Sequence, residues 1–199
     1  MAEGTEKSEE GTRKPRPWEV ESSERGKEFA MFTLRHDEAR SPRTGEVHDF
    51  DLVESPDGVT VIAVTPDDQM VLVEQFRHPL RELFLETPSG VVDEGEPPLE
   101  AAARELREET GYEGSDARHV GTLVLNPSWQ TTRVHVVVVR DARRVHPRDL
   151  DEGEDIRVRL VPRTEVVDLI RRGEITAAVA VSAVALFEWD ARGQGRPEA

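Results

Sequence analysis

The sequence predicts an α+β protein in which helices and a mixed β-sheet form three layers. β-branched segments recur along the chain, a strongly helical and highly charged segment stands between them, and two further helical segments follow the last of them. The connections between these segments are short. This order of elements favours an α+β, three-layer arrangement around one mixed sheet.

The composition predicts one main domain in a soluble, cytoplasmic protein. The formal charge of −15 argues against non-specific binding to nucleic acid or to anionic lipid, and an anionic substrate would need a cation beside this protein. The chain contains no cysteine, which suits a reducing compartment and excludes a thiolate metal site. The longest nearly apolar run, residues 177–187, is shorter than the ~20 residues that span a bilayer.

Four regions are expected along the chain. Residues 1–17 contain almost no apolar side chains and are predicted to form a disordered tail, because they cannot offset their ordering entropy by burial. Residues 18–55 are predicted to form a small N-terminal β subdomain, with strands at 28–39 and 46–55 around a turn-rich segment. Residues 56–192 form the main domain, and residues 193–199 a flexible end.

The main domain is predicted to contain strands first and helices after them, with one helix among the strands. Strands are predicted at residues 59–65, 70–76, 83–86, 119–125, 133–139 and 156–162. Helical periodicity returns after the last strand, at residues 164–172, which Gly173 closes, and in the Ala/Val-rich segment that ends near Trp189.

The segment from Pro97 to Thr110 carries the clearest helical signals in the chain. It begins with prolines at the first turn, continues with strong helix formers and is followed by a glycine. With ~100° between successive residues, the helix has one apolar face and an adjoining acidic face. The apolar face contains Leu99, Ala102, Ala103, Leu106 and Thr110, and the acidic face contains Glu105, Glu108 and Glu109.

Three carboxylates on one face predict a bound cation. Like charges at this spacing repel one another, and Arg104 offsets only part of the repulsion. Mg²⁺ or Mn²⁺ prefers oxygen ligands and commonly joins protein carboxylates to substrate phosphates. The alternative is a solvated helix face laced with weak ion pairs, and the residues around the helix decide between the two.

These surrounding residues form a nine-position pattern, in which every position is occupied as the pattern requires. The pattern is G-x5-E-x7-R-E-U-x-E-E-x-G-U, where U is a bulky apolar residue, and it is met here by Gly90, Glu96, Arg104, Glu105, Leu106, Glu108, Glu109, Gly111 and Tyr112. The segment therefore resembles the signature of the Nudix hydrolase family.

The resemblance implies a loop-helix-loop on a Nudix-type α/β/α sandwich and hydrolysis of a nucleoside diphosphate linked to another group. Glu105 and Glu109 match residues that bind divalent metal in that family, and Glu108 matches one that supports the metal or its water. Arg104 matches an arginine that orients a glutamate. In such sites the bound metal polarises the phosphates and lowers the pKa of the attacking water.

Residues before the pattern resemble the ADP-ribose pyrophosphatase branch of the family. They are the run Gln75 to His78 and the run Glu86 to Gly90. The resemblance implies that Ser89 offers its backbone carbonyl to a metal and that Arg77 and Glu86 contact the nucleotide or its terminal ribose. Pro127, sixteen positions after Gly111, resembles a proline that marks these enzymes.

The loop around Pro127 also departs from that branch. Thr132 stands where some members place a glutamate, and threonine is a poor general base at neutral pH. Glu154, in the acidic loop at residues 149–156 that also contains Glu152, is one candidate for the base, and Glu108 is the other. Trp129 can stack on adenine or pack beneath its loop.

The expected function is therefore Mg²⁺- or Mn²⁺-dependent hydrolysis of a nucleoside diphosphate sugar, with ADP-ribose as the first candidate. Another nucleoside diphosphate sugar, a dinucleotide, or a sensor that binds ADP-ribose without cleaving it are the alternatives. The resemblance also implies a homodimer that pairs through residues 18–55.

Overall fold

The computed structural model describes residues 14–191. The chain divides into two compact units, the first ending at Glu54 and the second beginning at Ser55. The tail expected at residues 1–17 lies mostly outside the described residues, and the flexible end expected at 193–199 lies entirely outside them.

The first unit is a three-stranded antiparallel sheet with the strand order β1-β2-β3. Its strands are β1 (Glu19–Glu28), β2 (Thr33–Arg40) and β3 (Val47–Glu54). The strand predicted at 28–39 begins too early, because the Phe29 N–H donates to the Phe32 carbonyl at 2.8 Å and closes a turn there.

Strand β1 was not predicted from the sequence. Its sequence, EVESSERGKE, has no apolar alternation, and nearly all of its side chains are exposed. Its side chains instead bond to the other two strands, as Ser22 does to Glu38 of β2 at 2.6 Å and Arg25 to Glu54 of β3 at 3.0 Å. Polar cross-strand pairs of this kind leave no periodic hydrophobic signal.

The second unit contains seven strands and three helices. They are β4 (Gly58–Val64), β5 (Gln69–Arg77), β6 (Glu82–Glu86), β7 (Ser89–Val91), α1 (Pro98–Thr110), β8 (Tyr112–Val124), β9 (Arg133–Arg144), β10 (Ile156–Pro162), α2 (Arg163–Arg171) and α3 (Ala178–Ala191). The predicted strands and helices are all present. In this unit only β7, a three-residue strand, was not predicted, and β8 and β9 are longer than predicted.

The sheet is mixed, as predicted, and strands β4 and β5 diverge at its centre. The strand order is β10-β5-β4-β9-β8, with β4 and β9 parallel and the other pairs antiparallel. Strands β4 and β5 pair only at Ala63–Val71 and Val64–Met70. Beyond these pairs, β5 bonds to β6 and β4 bonds to β7, so that two short strands occupy the divergence.

Side chains alternate along the central strands and contribute to two separate hydrophobic cores. On one face, Ile62, Val136 and Val138 pack with the side chains of α2 and α3. On the other face, Val61 and Val137 pack against α1. The predicted α/β/α sandwich is therefore confirmed, with α1 alone on one side of the sheet.

The buried face of α1 differs from the predicted one. Leu99 and Ala103 are exposed, whereas Ala101 and Glu109 are buried together with the correctly predicted Ala102, Leu106 and Thr110. Three successive alanines define no single apolar direction, so the sequence could not fix the rotation of the helix. This rotation turns the carboxylate of Glu109 toward the sheet.

No helix within residues 14–191 is long and apolar enough to cross a membrane.

Gly111 follows the last residue of α1 and lies against the segment around His146. Its φ is 76°, its N–H donates to the Arg107 carbonyl at 2.8 Å, and a β-carbon there would overlap the carbonyl oxygen of His146. Gly173 follows α2 with a φ of 74° but has open space around its Cα. We expect Gly173→Ala to lower the free energy of unfolding by ~1–2 kcal/mol, the ordinary cost of the left-handed conformation.

Gly111→Ala should cost more than this control, by ~1–3 kcal/mol, because overpacking adds to the same conformational cost. Urea unfolding followed by circular dichroism measures both variants. Equal losses of stability would show that the segment around His146, after β9, moves aside without cost.

Candidate active site

The guanidinium of Arg104 joins the helix to the loop before it. Its Nε and Nη2 donate to the two carboxylate oxygens of Glu96 at 3.0 and 2.8 Å, and its Nη2 also donates to the Val91 carbonyl at 2.9 Å. Its Nη1 donates to Glu105 at 2.8 Å and more weakly to Glu108 at 3.3 Å. One side chain therefore holds the loop and orients two of the helix carboxylates.

Glu96 is a site residue to which the sequence analysis gave no role. Its carboxylate accepts both the Arg104 fork and the Asp93 N–H, at 3.1 Å, and these hydrogen bonds hold the pKa of Glu96 below its usual value. Its position in the nine-residue pattern was the available signal.

The carboxylate of Glu105 lies directly over the Cα of Gly90. A β-carbon at position 90 would overlap all three atoms of that carboxylate, so only glycine fits. Burial raises the pKa of Glu105, Arg104 opposes this effect, and the charges of Glu108 and Glu154 add to it.

Glu109 is the most buried of the carboxylates. It is only 2% exposed, and its Oε2 accepts the Ser89 N–H at 3.0 Å. Burial raises the pKa of Glu109 to about 8, the Ser89 hydrogen bond opposes the rise, and the negative charges of Glu105 and Glu154 contribute to it. A carboxylate buried at this cost without a cationic partner in contact is a candidate functional group.

Glu108 faces outward from the same helix. Its side chain is 31% exposed and lies between Arg104 and Arg107, with the second pair at 3.7 Å. Its backbone carbonyl accepts the Asp149 N–H at 3.0 Å, which attaches the loop before β10 to α1.

Arg77 and Glu86 form an ion pair at the divergence of the sheet. The Nε of Arg77 donates to Glu86 at 2.8 Å, and the Arg77 side chain stays 41% exposed. The charge of Arg77 lowers the pKa of Glu109, so the two groups share one site. The structure thus brings Arg77, Glu86, Ser89, Glu105, Glu108 and Glu109 together.

Gln75 is a second residue to which the sequence analysis gave no individual role. It lies two residues before Arg77, so both side chains point to the α1 face of β5. Gln75 is 9% exposed, and its buried Nε2 has no hydrogen-bond partner among the described residues. Such an unsatisfied donor fits a site that an oxygen-rich ligand completes.

Glu154 approaches the same carboxylates from the loop before β10. The side chain is exposed and accepts the Asp151 N–H at 3.2 Å. Its charge raises the pKa of both Glu105 and Glu109, whereas no such effect involves Glu152. The loop thus contributes one of its two glutamates to the electrostatics of the site.

Pro127 and Trp129 lie apart from this network. Both are exposed in the loop between β8 and β9, and the Trp129 N–H bonds to Asn126 within the same loop at 3.3 Å. Within residues 14–191, neither side chain forms a hydrogen bond with a carboxylate of α1. Thr132 is buried and bonds through its hydroxyl to Ser55, which is a structural role.

The donors present fit a hard divalent cation that is shared with a substrate. In the described part of the chain, no three acidic or histidine side chains converge closely enough to hold a metal by themselves. Mg²⁺ usually binds one or two carboxylates together with substrate phosphates and water. Glu105 over Gly90 and the buried Glu109 beside Ser89 supply such a partial oxygen set.

The model of the NUDIX domain matches residues 54–182, which span the whole sandwich except the end of α3. This chain belongs to the NUDIX family. It is a Nudix hydrolase, and members of this family generally need divalent metal ions.

Two relatives and one solved structure are similar to this Nudix hydrolase over most of its length. An ADP-ribose pyrophosphatase of Bacillus subtilis is 31% identical over 141 residues, covering 70% of this chain and 76% of the relative. An ADP-ribose pyrophosphatase of Mycobacterium tuberculosis is 33% identical over 169 residues, covering 84% and 81%. The crystal structure of an ADP compounds hydrolase has a TM-score of 0.81 at 24% identity, over 94% of this chain and 100% of the other, and supports the fold.

The raised pKa of Glu109 predicts how the stability of the metal-free protein depends on pH. Between the usual carboxyl pKa and about 8, the folded state holds a proton that the unfolded state releases, so the free energy of unfolding falls as pH rises through this range. We expect Glu109→Gln to flatten this decline, because the amide does not titrate.

Urea unfolding in EDTA at pH values from about 5 to about 9 measures the difference for the full chain. Parallel pH profiles for the parent and Glu109→Gln would contradict the assignment of the buried proton to Glu109.

Proposed function

We propose that this Nudix hydrolase cleaves the diphosphate bond of a nucleoside diphosphate sugar, with ADP-ribose and water as substrates and AMP and ribose 5-phosphate as products. The observation that carries the proposal is the grouping of the α1 carboxylates with the Arg77–Glu86 pair at one opening of the sheet. The names of the two relatives support ADP-ribose over other diphosphates.

In the proposed site, the carboxylates of Glu105 and Glu109 and the carbonyl of Ser89 hold Mg²⁺, and Glu108 supports it. When bound, the ion polarises the diphosphate and lowers the pKa of the attacking water. Arg104 keeps Glu105 and Glu108 in place through its hydrogen bonds to both. A bound cation also stabilises the ionised form of Glu109, which is otherwise costly in this buried position.

The remaining residues recognise and activate the substrate. Arg77, held by Glu86 at 2.8 Å, offers its exposed guanidinium edge to a phosphate, and Glu86 has further acceptor capacity for a ribose hydroxyl or an adenine amino group. Pro127 and Trp129 border the substrate from the β8–β9 loop, where the Trp129 ring can stack on the base. Glu154 accepts the proton of the attacking water.

Product analysis tests this proposal directly. We expect the full chain with ADP-ribose and Mg²⁺ to release AMP and ribose 5-phosphate, as resolved by chromatography. Glu109→Gln should lower kcat/KM by at least ~10²-fold, because it removes charge needed to bind the cation next to the developing negative charge.

Other outcomes identify the alternatives. Faster cleavage of another nucleoside diphosphate sugar or a dinucleotide would retain the hydrolase and overturn ADP-ribose as the substrate. Binding of ADP-ribose without cleavage, measured by calorimetry, would favour a sensor.

The role of Glu154 can be separated from that of its acidic loop. Glu154→Gln should lower kcat by ~10²–10⁴-fold, the usual contribution of a general base, and should remove the acidic limb of the pH–rate profile. Glu152→Gln is the matched control, because it removes the same charge from the same exposed loop. Equal effects of the two variants would assign the loop a general electrostatic role and leave Glu108 as the candidate base.

We also propose that the first unit forms a homodimer interface. This unit is a small sheet that leaves Trp18, Val20, Met31, Leu34 and Val47 exposed, and exposed apolar side chains of this kind favour association. Sedimentation equilibrium of the full chain should show a dimer that Leu34→Glu weakens, and a monomeric parent protein would contradict the proposal.

A further inference from the structure

A cavity lined by arginines lies where the end of α1 meets β9, β10 and the loop between them. It has a volume of about 430 Å³. The residues that line it are Thr110 and Tyr112 at the end of α1, Arg144 of β9, Arg148 of the following loop, and Ile156, Arg157, Val158 and Leu160 of β10. We call this cavity the arginine pocket.

The arginine pocket is locally basic in a strongly acidic protein. Its lining contains three arginines and no carboxylate, although the chain as a whole carries a formal charge of −15. The other large cavity, of about 610 Å³ beside residues 91–98, is lined by four carboxylates, those of Asp57, Asp93, Glu94 and Glu96. Electrostatics therefore direct a small anion to the arginine pocket rather than to the larger cavity.

The guanidinium groups in the arginine pocket retain donors for a ligand. Arg144 forms no ion pair with any residue in the range 14–191. Arg148 donates from Nη1 to the carbonyl of Ile156, which holds the guanidinium at the pocket. Its other N–H groups remain available to a ligand. Arg157 also lines the cavity, but its side chain alternates with that of Val158 and pairs with Glu74 at 3.5 Å on the opposite face of β10, so its guanidinium is directed away from the pocket.

The rest of the lining is apolar. Ile156 and Tyr112 are buried beneath the arginines, and Leu160 is 45% exposed at the rim. Guanidinium forks match phosphate oxygens, and an apolar wall suits the organic group attached to a phosphate. The volume lies within the range of ~300–1,000 Å³ that small-molecule sites usually have.

We propose that the arginine pocket binds a phosphomonoester, with its phosphate on Arg144 and Arg148 and its organic group against Tyr112 and Leu160. This site is separate from the carboxylates that bind the cation, and it does not depend on which diphosphate the enzyme cleaves.

The arginine pocket shares one wall with the active site. Arg148 lies in the loop that carries Glu154, and the neighbouring Asp149 donates its N–H to the Glu108 carbonyl at 3.0 Å. A phosphate held by Arg148 therefore also restrains the loop that positions Glu154.

Isothermal titration calorimetry of the full chain, in EDTA and at low salt, tests the proposal with AMP and inorganic phosphate as ligands. Without a divalent cation, the carboxylates of α1 repel phosphate, so the titration reports on other sites. We expect saturable binding of one AMP per chain, with an affinity for AMP at least equal to that for inorganic phosphate.

The variants locate this binding. Arg144→Gln should weaken it at least about tenfold, because it removes charge-assisted hydrogen bonds. Arg144→Lys should restore part of the affinity. Arg143→Gln is the matched control, since Arg143 is an exposed neighbour on β9 that does not line the pocket, and it should leave the affinity unchanged.

Several results would overturn the proposal. They are the absence of AMP binding, equal losses in Arg144→Gln and Arg143→Gln, or weaker binding of AMP than of inorganic phosphate. Loss of binding in Arg77→Gln but not in Arg144→Gln would place the anion in the catalytic groove instead. Circular dichroism of each variant confirms that the compared proteins are folded.

Discussion

The hydrogen bonds of Arg104 are the constraint on which the active site depends. A single guanidinium donates to Glu96 in the loop, to the Val91 carbonyl at the end of β7, and to Glu105 and Glu108 on the helix. The loop is thereby held against α1, and the carboxylates keep their orientation although they repel one another. Arginine suits this task because its planar fork offers five donors in a fixed geometry, which lysine does not.

The burial of Glu109 lowers the stability of the metal-free protein. A carboxylate that is 2% exposed and has one backbone donor is unfavourable in the ionised form, which is why its pKa rises to about 8. The surrounding structure maintains it through the two alanines and Leu106 on the same helix face, which pack against the sheet. Burial that costs stability in the metal-free protein favours a bound cation.

The divergence of β4 and β5 makes room for these groups. The two strands pair at only two positions and then take β7 and β6 as separate partners. Ser89 and Gly90 come from one side of this opening and Arg77 and Glu86 from the other, while α1 lies over it. The residues proposed for substrate recognition and cation binding therefore lie on strands of the same sheet and on the helix over it, which is a rigid support for catalysis.

The sequence by itself determined the family and the sandwich, and it predicted the residues of the α1 site, because nine spaced positions and strong hydrophobic periodicity are local signals. Only the tertiary structure decided which carboxylate is buried, since three alanines leave the rotation of α1 undefined until the helix packs on β4. It also brought the charge of Glu154 close enough to raise the pKa of Glu109, and it placed Arg144 and Arg148 beside the end of α1 in one pocket. These groups are far apart in the chain, and only strand pairing and loop closure bring them together.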